Sequence, residues 1–372
     1  MASEQRPSGK RTKQNQSQKK IRTMNLSTLL PSSLLTIILC SSSNSFATLE
    51  SSLQQNTHKI VHEAYDDGNW ELFISKADGS EQKNLTNTPK INELYPQCSP
   101  DGSKICFLVD TGTGRNTIRS AWVMNSDGTG RVKISDHARQ PCWAPDSKRI
   151  VWLPQEYKKW NVVDYYSKGL MFYDVITEKS TPHPISDKIH HLYNPSFSSN
   201  GKWIAATVHA GMGFNHAILL IESNGPKIIN LGIRGCRPCL KPNGNQITWG
   251  SGDHTIEVAD IDLDSDNPKI GKRRLMIRDK VNKIYHSEWS PEGKYITFSR
   301  GPNGKGDISK PSTYQGACEM VGVFAKDWNI FSVANTNGNE VDFGTASPGK
   351  DYYQVSKNGL SYKEADWLHQ SK

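Results

Sequence analysis

The side chains best suited to chemistry include three histidines, His209, His254 and His286, with Asp253 and His216 close to them in the chain. Imidazoles completed by a carboxylate form a donor set that suits Zn, Mn or Fe. None stands in the close spacing of a helical metal-binding pair, so the sequence leaves two readings: one shared divalent metal, or solvated loop histidines. A second set is basic and aromatic: Arg139, Trp160, Tyr193, Arg237, His286 and Arg300, with Glu364. Arg, Tyr and Trp are the usual anchors of a binding surface, and aromatic faces also stack on sugar rings. Cys236-Arg237-Pro238-Cys239 has the spacing of a redox pair or half a metal site. No second such pair exists and no His follows it, which leaves small buried strand residues as the simpler reading. The Gly-rich stretch 301–306 lacks the Gly-Lys-Ser/Thr of a phosphate loop, and the acidic run 260–266 lacks the Gly and distal Glu of a calcium loop.

These residues need a frame, and a repeat supplies it. Cys98-Ser99-Pro100-Asp101-Gly102 precedes an alternating apolar strand, and so do Trp143-Ala144-Pro145-Asp146-Ser147, Phe197-Ser198-Ser199-Asn200-Gly201, Leu240-Lys241-Pro242-Asn243-Gly244 and Trp289-Ser290-Pro291-Glu292-Gly293. Pro presets φ for the turn and Gly accepts the positive φ that follows. The copies are spaced by 45, 54, 43 and 49 residues, the period of a propeller blade. The expected fold is all-β: a six-bladed β-propeller of four-stranded blades over 58–368, after a lead-in at 48–57 and before a tail at 369–372. Trp367 stands where Trp143 and Trp289 stand, but no second strand follows it, while the first blade begins at its second strand. Residues 362–368 are therefore expected to complete the blade begun by 58–88. The 78 residues from Pro291 to His369 read as one blade with a long insertion at 301–327, or as two compressed blades, which would make seven.

Ser99-Pro100-Asp101-Gly102, Ala77-Asp78-Gly79-Ser80 and Leu85-Thr86 together resemble the TolB-like, WD-related β-propeller repeat, and the resemblance covers 58–368. It implies the fold and leaves function open. TolB itself carries an α/β domain before its propeller, for which this sequence has no room. The class also includes oligosaccharide lyases whose channel histidines hold a divalent metal, which would assign that role to His209, His254 and His286.

Residues 1–23 carry seven Lys or Arg against one Glu, and 24–47 carry no charge, so most of the net +8 belongs to the leader. The basic balance is therefore no argument for nucleic acid. Basic residues, an apolar run at 29–39 and Ser45-Phe46-Ala47 are the order of a cleaved signal peptide at 1–47, which implies a periplasmic or secreted protein with no membrane span after cleavage. The expected function is an exported, non-catalytic binding or scaffold propeller, monomeric and without a cofactor. Its partner would be an envelope or extracellular protein, a peptide or a saccharide, bound on the face that carries Arg139, Trp160, Tyr193, Arg237, His286, Arg300 and Glu364. The alternative is a metal-dependent carbohydrate-active enzyme.

Overall fold

Six sheets, five led by a copy of the repeat and one by the Trp367 strand, form the blades of a β-propeller in a computed structural model that describes residues 47–304, 318–336, 338 and 340–370. The expected leader, apart from Ala47, lies outside the described residues, as do Lys305 and Gly306 of the Gly-rich stretch. The inner strands are Asn92–Cys98, Ala138–Trp143, Leu192–Phe197, Cys236–Leu240, Asn282–Trp289 and Ser361–Leu368, belonging to blades 2 to 6 and blade 1. The last pairs antiparallel with Lys59–Asp66, the second strand of blade 1, so the two ends of the repeat array close one sheet. Six blades, not seven, is the observed count: the residues after Arg300 supply an insertion and the outer strands of blade 6.

The turn explains why the repeat is visible. Asp101 Oδ1 accepts the Ser103 N–H at 2.9 Å, and the Ser99 hydroxyl accepts the Lys104 N–H at 2.9 Å. Ser198 and Ser290 repeat the second bond with Trp203 and Tyr295. Gly102 is required twice over: its φ is +73°, and a Cβ there would lie 2.0 Å from the carbonyl oxygen of His369. After each turn the second strand is buried on both faces, as in Lys104–Thr111, where six successive residues are buried. A strand enclosed on both sides reads as a continuous apolar run.

Between blades lie the cores. One apolar cluster fills each of the six blade–blade junctions, for example Val151, Leu153, Phe172, Ile204, Val208 and Leu219 between blades 3 and 4. The repeat tryptophans tie these junctions. Trp143 Nε1 donates to the Gln97 carbonyl at 2.9 Å, Trp289 Nε1 to the Cys239 carbonyl at 3.1 Å, and Trp367 Nε1 to the Thr297 hydroxyl at 2.6 Å. Each bond reaches back to the preceding blade. All six described cysteines are free thiols, and Cys98, Cys106, Cys142 and Cys239 are buried in the strands.

Two local readings change. His209 and His216, which the solvated-loop reading put in a loop, lie instead near the tip of a long hairpin, with strands Trp203–Gly211 and Phe214–Glu222 around Met212-Gly213. Its polar histidines hid the strand alternation because this end of the hairpin meets solvent. Blade 5 gains a fifth, parallel strand, Val341–Asp342, paired at Ile277 and Arg278. The basic run Lys272-Arg273-Arg274 sits further along the same strand, where no fifth partner pairs, and there it discourages edge pairing.

Trp367 joins the closing strand to blade 6 by packing and by its indole bond. Trp367→Ala is expected to lower unfolding free energy by about 3–5 kcal/mol, measured by denaturant titration; a loss below about 1 kcal/mol would show that the seam does not depend on it.

Candidate functional site

Every inner strand contains one extra residue. The register shifts fall between Leu94 and Gln97, Arg139 and Cys142, Tyr193 and Ser196, Cys236 and Cys239, and Tyr285 and Glu288, and opposite the step from His62 to Glu63 on the closing strand. Such a bulge re-aims a side chain. The bulge residues are Tyr95, Gln140, Asn194, Arg237, His286 and Glu364, and all but Gln140 have positive φ. Left-handed backbone at bulky residues costs energy that the surroundings must offset. Here neighbouring side chains take the exposed amides: Tyr95 N–H donates to Glu63 Oε2, Asn194 N–H to Gln140 Oε1, Arg237 N–H to Thr207 Oγ1 and Glu364 N–H to Ser299 Oγ.

The six bulge side chains are buried around the axis and bond to one another. Asn194 Nδ2 donates to Tyr95 Oη at 3.0 Å. Arg237 Nη2 donates to Asp164 Oδ2 at 2.9 Å, and its Nη1 lies 3.4 Å from Glu364 Oε1. His286 Nε2 is 2.7 Å from Glu364 Oε1 and 2.9 Å from the Glu319 carbonyl. Both partners of that nitrogen are acceptors, so it carries the proton, and Nδ1 accepts from the Ser299 hydroxyl at 3.2 Å. Burial, together with the cations of Arg237 and Lys363, holds the imidazole pKa far below its ordinary value. Burial thus favours the neutral ring in its 2.7 Å contact with Glu364. Burial pushes the Glu364 carboxyl up to about 7 against the pull of Arg237 and Lys363. The cavity left among these side chains is only about 20 Å³. His286 and Glu364, expected on an open ligand face, are therefore enclosed.

The loop-rich end of the axis is sealed by the chain itself. Lys363 Nζ donates to the carbonyls of Cys318 (3.1 Å) and Met320 (2.7 Å), Arg237 Nη2 to that of Glu319 (3.0 Å) and Arg119 Nη2 to that of Val321 (3.2 Å). Four successive main-chain carbonyls thus face four cationic or imidazole side chains. Gly322 follows with φ +80°, and a Cβ there would stand 2.8 Å from the Arg119 guanidinium. Val321, Val323 and Trp328 are buried and anchor the cap.

Two open clefts flank this cap. The first, about 780 Å³, lies between blades 2 and 3 and includes Asp110, Arg115, Arg119, Tyr157, Lys158 and Trp160. The second, about 800 Å³, lies between blades 4 and 5 and includes Tyr165, Tyr193, His209, His216, Asp253 and Tyr285. The loop between Pro154 and Lys168 divides them: Trp160 and Asn161 face the first, Asp164 and Tyr165 the second. In the second cleft the His209 ring is 4.4 Å from that of Tyr165 and 5.5 Å from that of His216. Tyr193 Oη lies 3.3 Å from His216 Nε2, and the Tyr285 hydroxyl donates to Asp253.

The sequence-expected residues therefore divide. Tyr193 and Arg237 line the second cleft and Trp160 the first. Arg139 is buried beneath, 5.3 Å under the Trp160 ring, with its Nε and Nη2 donating to the carbonyls of Tyr166 and Asn161. Arg300 is engaged by Asp279 at 2.6 Å and packs 4.2 Å from the Phe343 ring, away from both clefts. The three candidate metal histidines are not brought together: His209 faces the second cleft, His254 Nδ1 bonds the Asn282 carbonyl at 2.9 Å and His286 lies under the cap. Among the described residues no group of three or more His, Cys, Asp or Glu is placed to hold a metal. Residues that sequence reasoning passed over are Glu63, Arg119 and Asp164. The first two had a signal, a charge within an otherwise apolar strand pattern.

Neither the family models nor the curated proteins give a match to this sequence. Solved structures do. TolB from Acinetobacter baumannii aligns with TM-score 0.58 at 14% identity, covering 84% of this chain and 67% of that one. Kuenenia stuttgartiensis hydrazine synthase aligns with TM-score 0.54 at 11% identity, covering 84% of this chain and 46% of that one. A chain of a nidogen/laminin complex aligns with TM-score 0.50 at 10% identity, covering 84% and 98%. At such identities the shared property is the fold, and at that level the TolB-like resemblance read from the repeat is borne out.

The buried charges make stability depend on pH. Burial raises the Glu63 carboxyl to about 8, opposed by the Lys363 ammonium. A carboxyl that binds its proton more tightly folded than unfolded contributes stability below its unfolded pKa, and this is lost as pH rises through the folded value. Glu63→Gln removes that loss and keeps an acceptor for Tyr95. From about pH 4.5 to about pH 8, the variant is expected to gain on the native chain by tenfold or more in folding constant, about 1.4 kcal/mol. Denaturant titrations at both pH values check this; parallel curves would refute it.

Proposed function

We propose that this chain is an exported, monomeric, non-catalytic binding propeller that takes an extended polar ligand (a peptide, a protein segment or a saccharide) on its loop-rich face. One observation carries the reading: the axis is filled by the bulge side chains and capped by the chain's own carbonyls, while two clefts of about 780 and 800 Å³ remain open on either side of the cap. Clefts of this size, rich in aromatic groups and set on rigid strand ends, are where ligands bind. The loop between Pro154 and Lys168 contributes Trp160 to one cleft and Tyr165 to the other, so a ligand lying across it would meet an aromatic face on each side. Export rests on the basic and apolar order of residues 1–47; no described helix is long and apolar enough to cross a membrane.

Screening the purified protein against peptide and glycan arrays supplies the ligand. A ligand seated in the cleft between blades 4 and 5 is then expected to bind Tyr165→Ala and His209→Ala about tenfold more weakly, about 1.4 kcal/mol, with unfolding unchanged. Unaltered affinity in both of these variants and in Lys158→Ala/Lys159→Ala would overturn the placement. Turnover of the bound ligand, or a stoichiometric divalent metal lost in His209→Ala, would replace this reading with the metal-dependent carbohydrate enzyme.

A further inference from the structure

The cleft between blades 2 and 3 differs from its neighbour in charge: its described lining carries four Lys or Arg against one Asp, where the other carries two Arg against two Asp and one Glu. Arg115, Lys158 and Lys159 stand exposed around it, and Arg119 forms part of its floor. The one carboxylate among its described lining residues, Asp110, has both oxygens engaged by Arg119, at 2.8 Å from Nε and 2.7 Å from Nη2. The nearby Glu156 carboxylate turns away to His191 at 2.7 Å. Two asparagines complete the lining, and both have fixed orientations. Asn92 Oδ1 accepts the Trp70 N–H at 3.0 Å and Asn161 Oδ1 the Val163 N–H at 2.9 Å. With each amide oxygen held by main chain, the amide NH₂ groups remain as donors for the cleft.

The aromatic groups add a shape. Trp160 lies with the Arg119 guanidinium 4.6 Å and the Arg139 guanidinium 5.3 Å from its ring centre. Both arginines are buried, and Arg139 also holds the Asn161 and Tyr166 carbonyls, so the indole is clamped from beneath. Tyr157, half exposed, stands edge-on to Tyr166 at 5.3 Å. Flat, fixed aromatic faces attract the electropositive C–H face of a pyranose ring. Thr113 and Thr117, also in the lining, match hydroxyls, being donor and acceptor at once.

We infer that the cleft between blades 2 and 3 binds an acidic saccharide, with sugar rings on Trp160 and Tyr157 and carboxylate or sulfate groups on Arg115, Lys158 and Lys159. The inference rests on the binding-propeller reading and names the ligand class for one of its two clefts. Uronate and sulfated sugars fit because they present acceptors at the end of each ring and hydroxyls between them. Charge-assisted bonds to Lys and Arg supply affinity, and the asparagines and threonines read the hydroxyls. An acidic peptide offers the charge without the ring faces, and a nucleic acid is the other polyanion to be separated from it.

Calorimetric titration of the purified protein with alginate and heparin hexasaccharides, and with cellohexaose, hexaglutamate and a single-stranded hexanucleotide as controls, tests this. At least one acidic saccharide is expected to bind about tenfold or more tighter than every control, and to weaken severalfold as salt rises from about 50 to about 300 mM. Lys158→Ala/Lys159→Ala and Arg115→Ala, all at exposed positions, are expected to lower that affinity about tenfold and about threefold while unfolding stays unchanged. His209→Ala, in the other cleft, should leave it unaltered. Three outcomes overturn the inference: neither acidic saccharide outbinds cellohexaose, hexaglutamate or the oligonucleotide binds as tightly, or the double variant binds as the native chain does. Controls that bind and are lost in Tyr165→Ala would leave the binding propeller standing while this assignment falls; absence of binding by every probe and array ligand would remove both.

Discussion

One extra residue in each inner strand governs this molecule. The bulge breaks the hydrogen-bond ladder at the same height in all six blades and directs Tyr95, Gln140, Asn194, Arg237, His286 and Glu364 around the axis. An unpaired amide in the interior is costly, and side chains on neighbouring strands, Glu63, Gln140, Thr207 and Ser299, satisfy four of them. The blades are therefore joined near the axis by polar contacts and further out by apolar packing and tryptophan bonds. Change in one bulge is felt by the next blade.

A polar axis of this kind must balance its charges. Arg119, Arg237 and Lys363 are all buried, and the carboxyl groups of Asp110, Asp164, Glu63 and Glu364 are buried with them. These carboxyl groups satisfy only part of the donor capacity; the rest is directed at the carbonyls of residues 318 to 321. A buried charge left without partners is costly, while a paired one adds little net stability. The cap completes the partnership. The axis is thereby occupied, and the two open clefts lie beside it.

The fold was legible because the tight turns need particular residues. Pro, Asp and Gly are demanded by dihedral angles and a Ser hydroxyl by the strand amide after the turn, so these survive in copy after copy. The seam was legible for the same reason, through Trp367 at the place of Trp143 and Trp289. The site was legible in part. Trp160, Tyr193 and Arg237, chosen by residue type and position, line the clefts, but His286 and Glu364 were placed on an open face because periodicity gives no sign of a bulge or of a cap folded over it. Arg300 looked available because the partner that engages it, Asp279, lies on a separate loop. The three histidines share a residue type and similar places in their blades, yet each finds its own local partner.

The seam also sets an order of events. Ile60 and Trp367 face each other across blade 1, at opposite ends of the described chain. Blades 2 to 4 and the first four strands of blade 5 are assembled from neighbouring hairpins, whose contacts are local and form early. Blade 1 waits with an open edge until Ser361–Leu368 arrives. Closing so long a loop adds only slowly growing entropy to the equilibrium, but it places ring closure among the slowest events of folding. During synthesis a waiting three-stranded blade would be the vulnerable intermediate, with an apolar strand edge free to pair with another molecule.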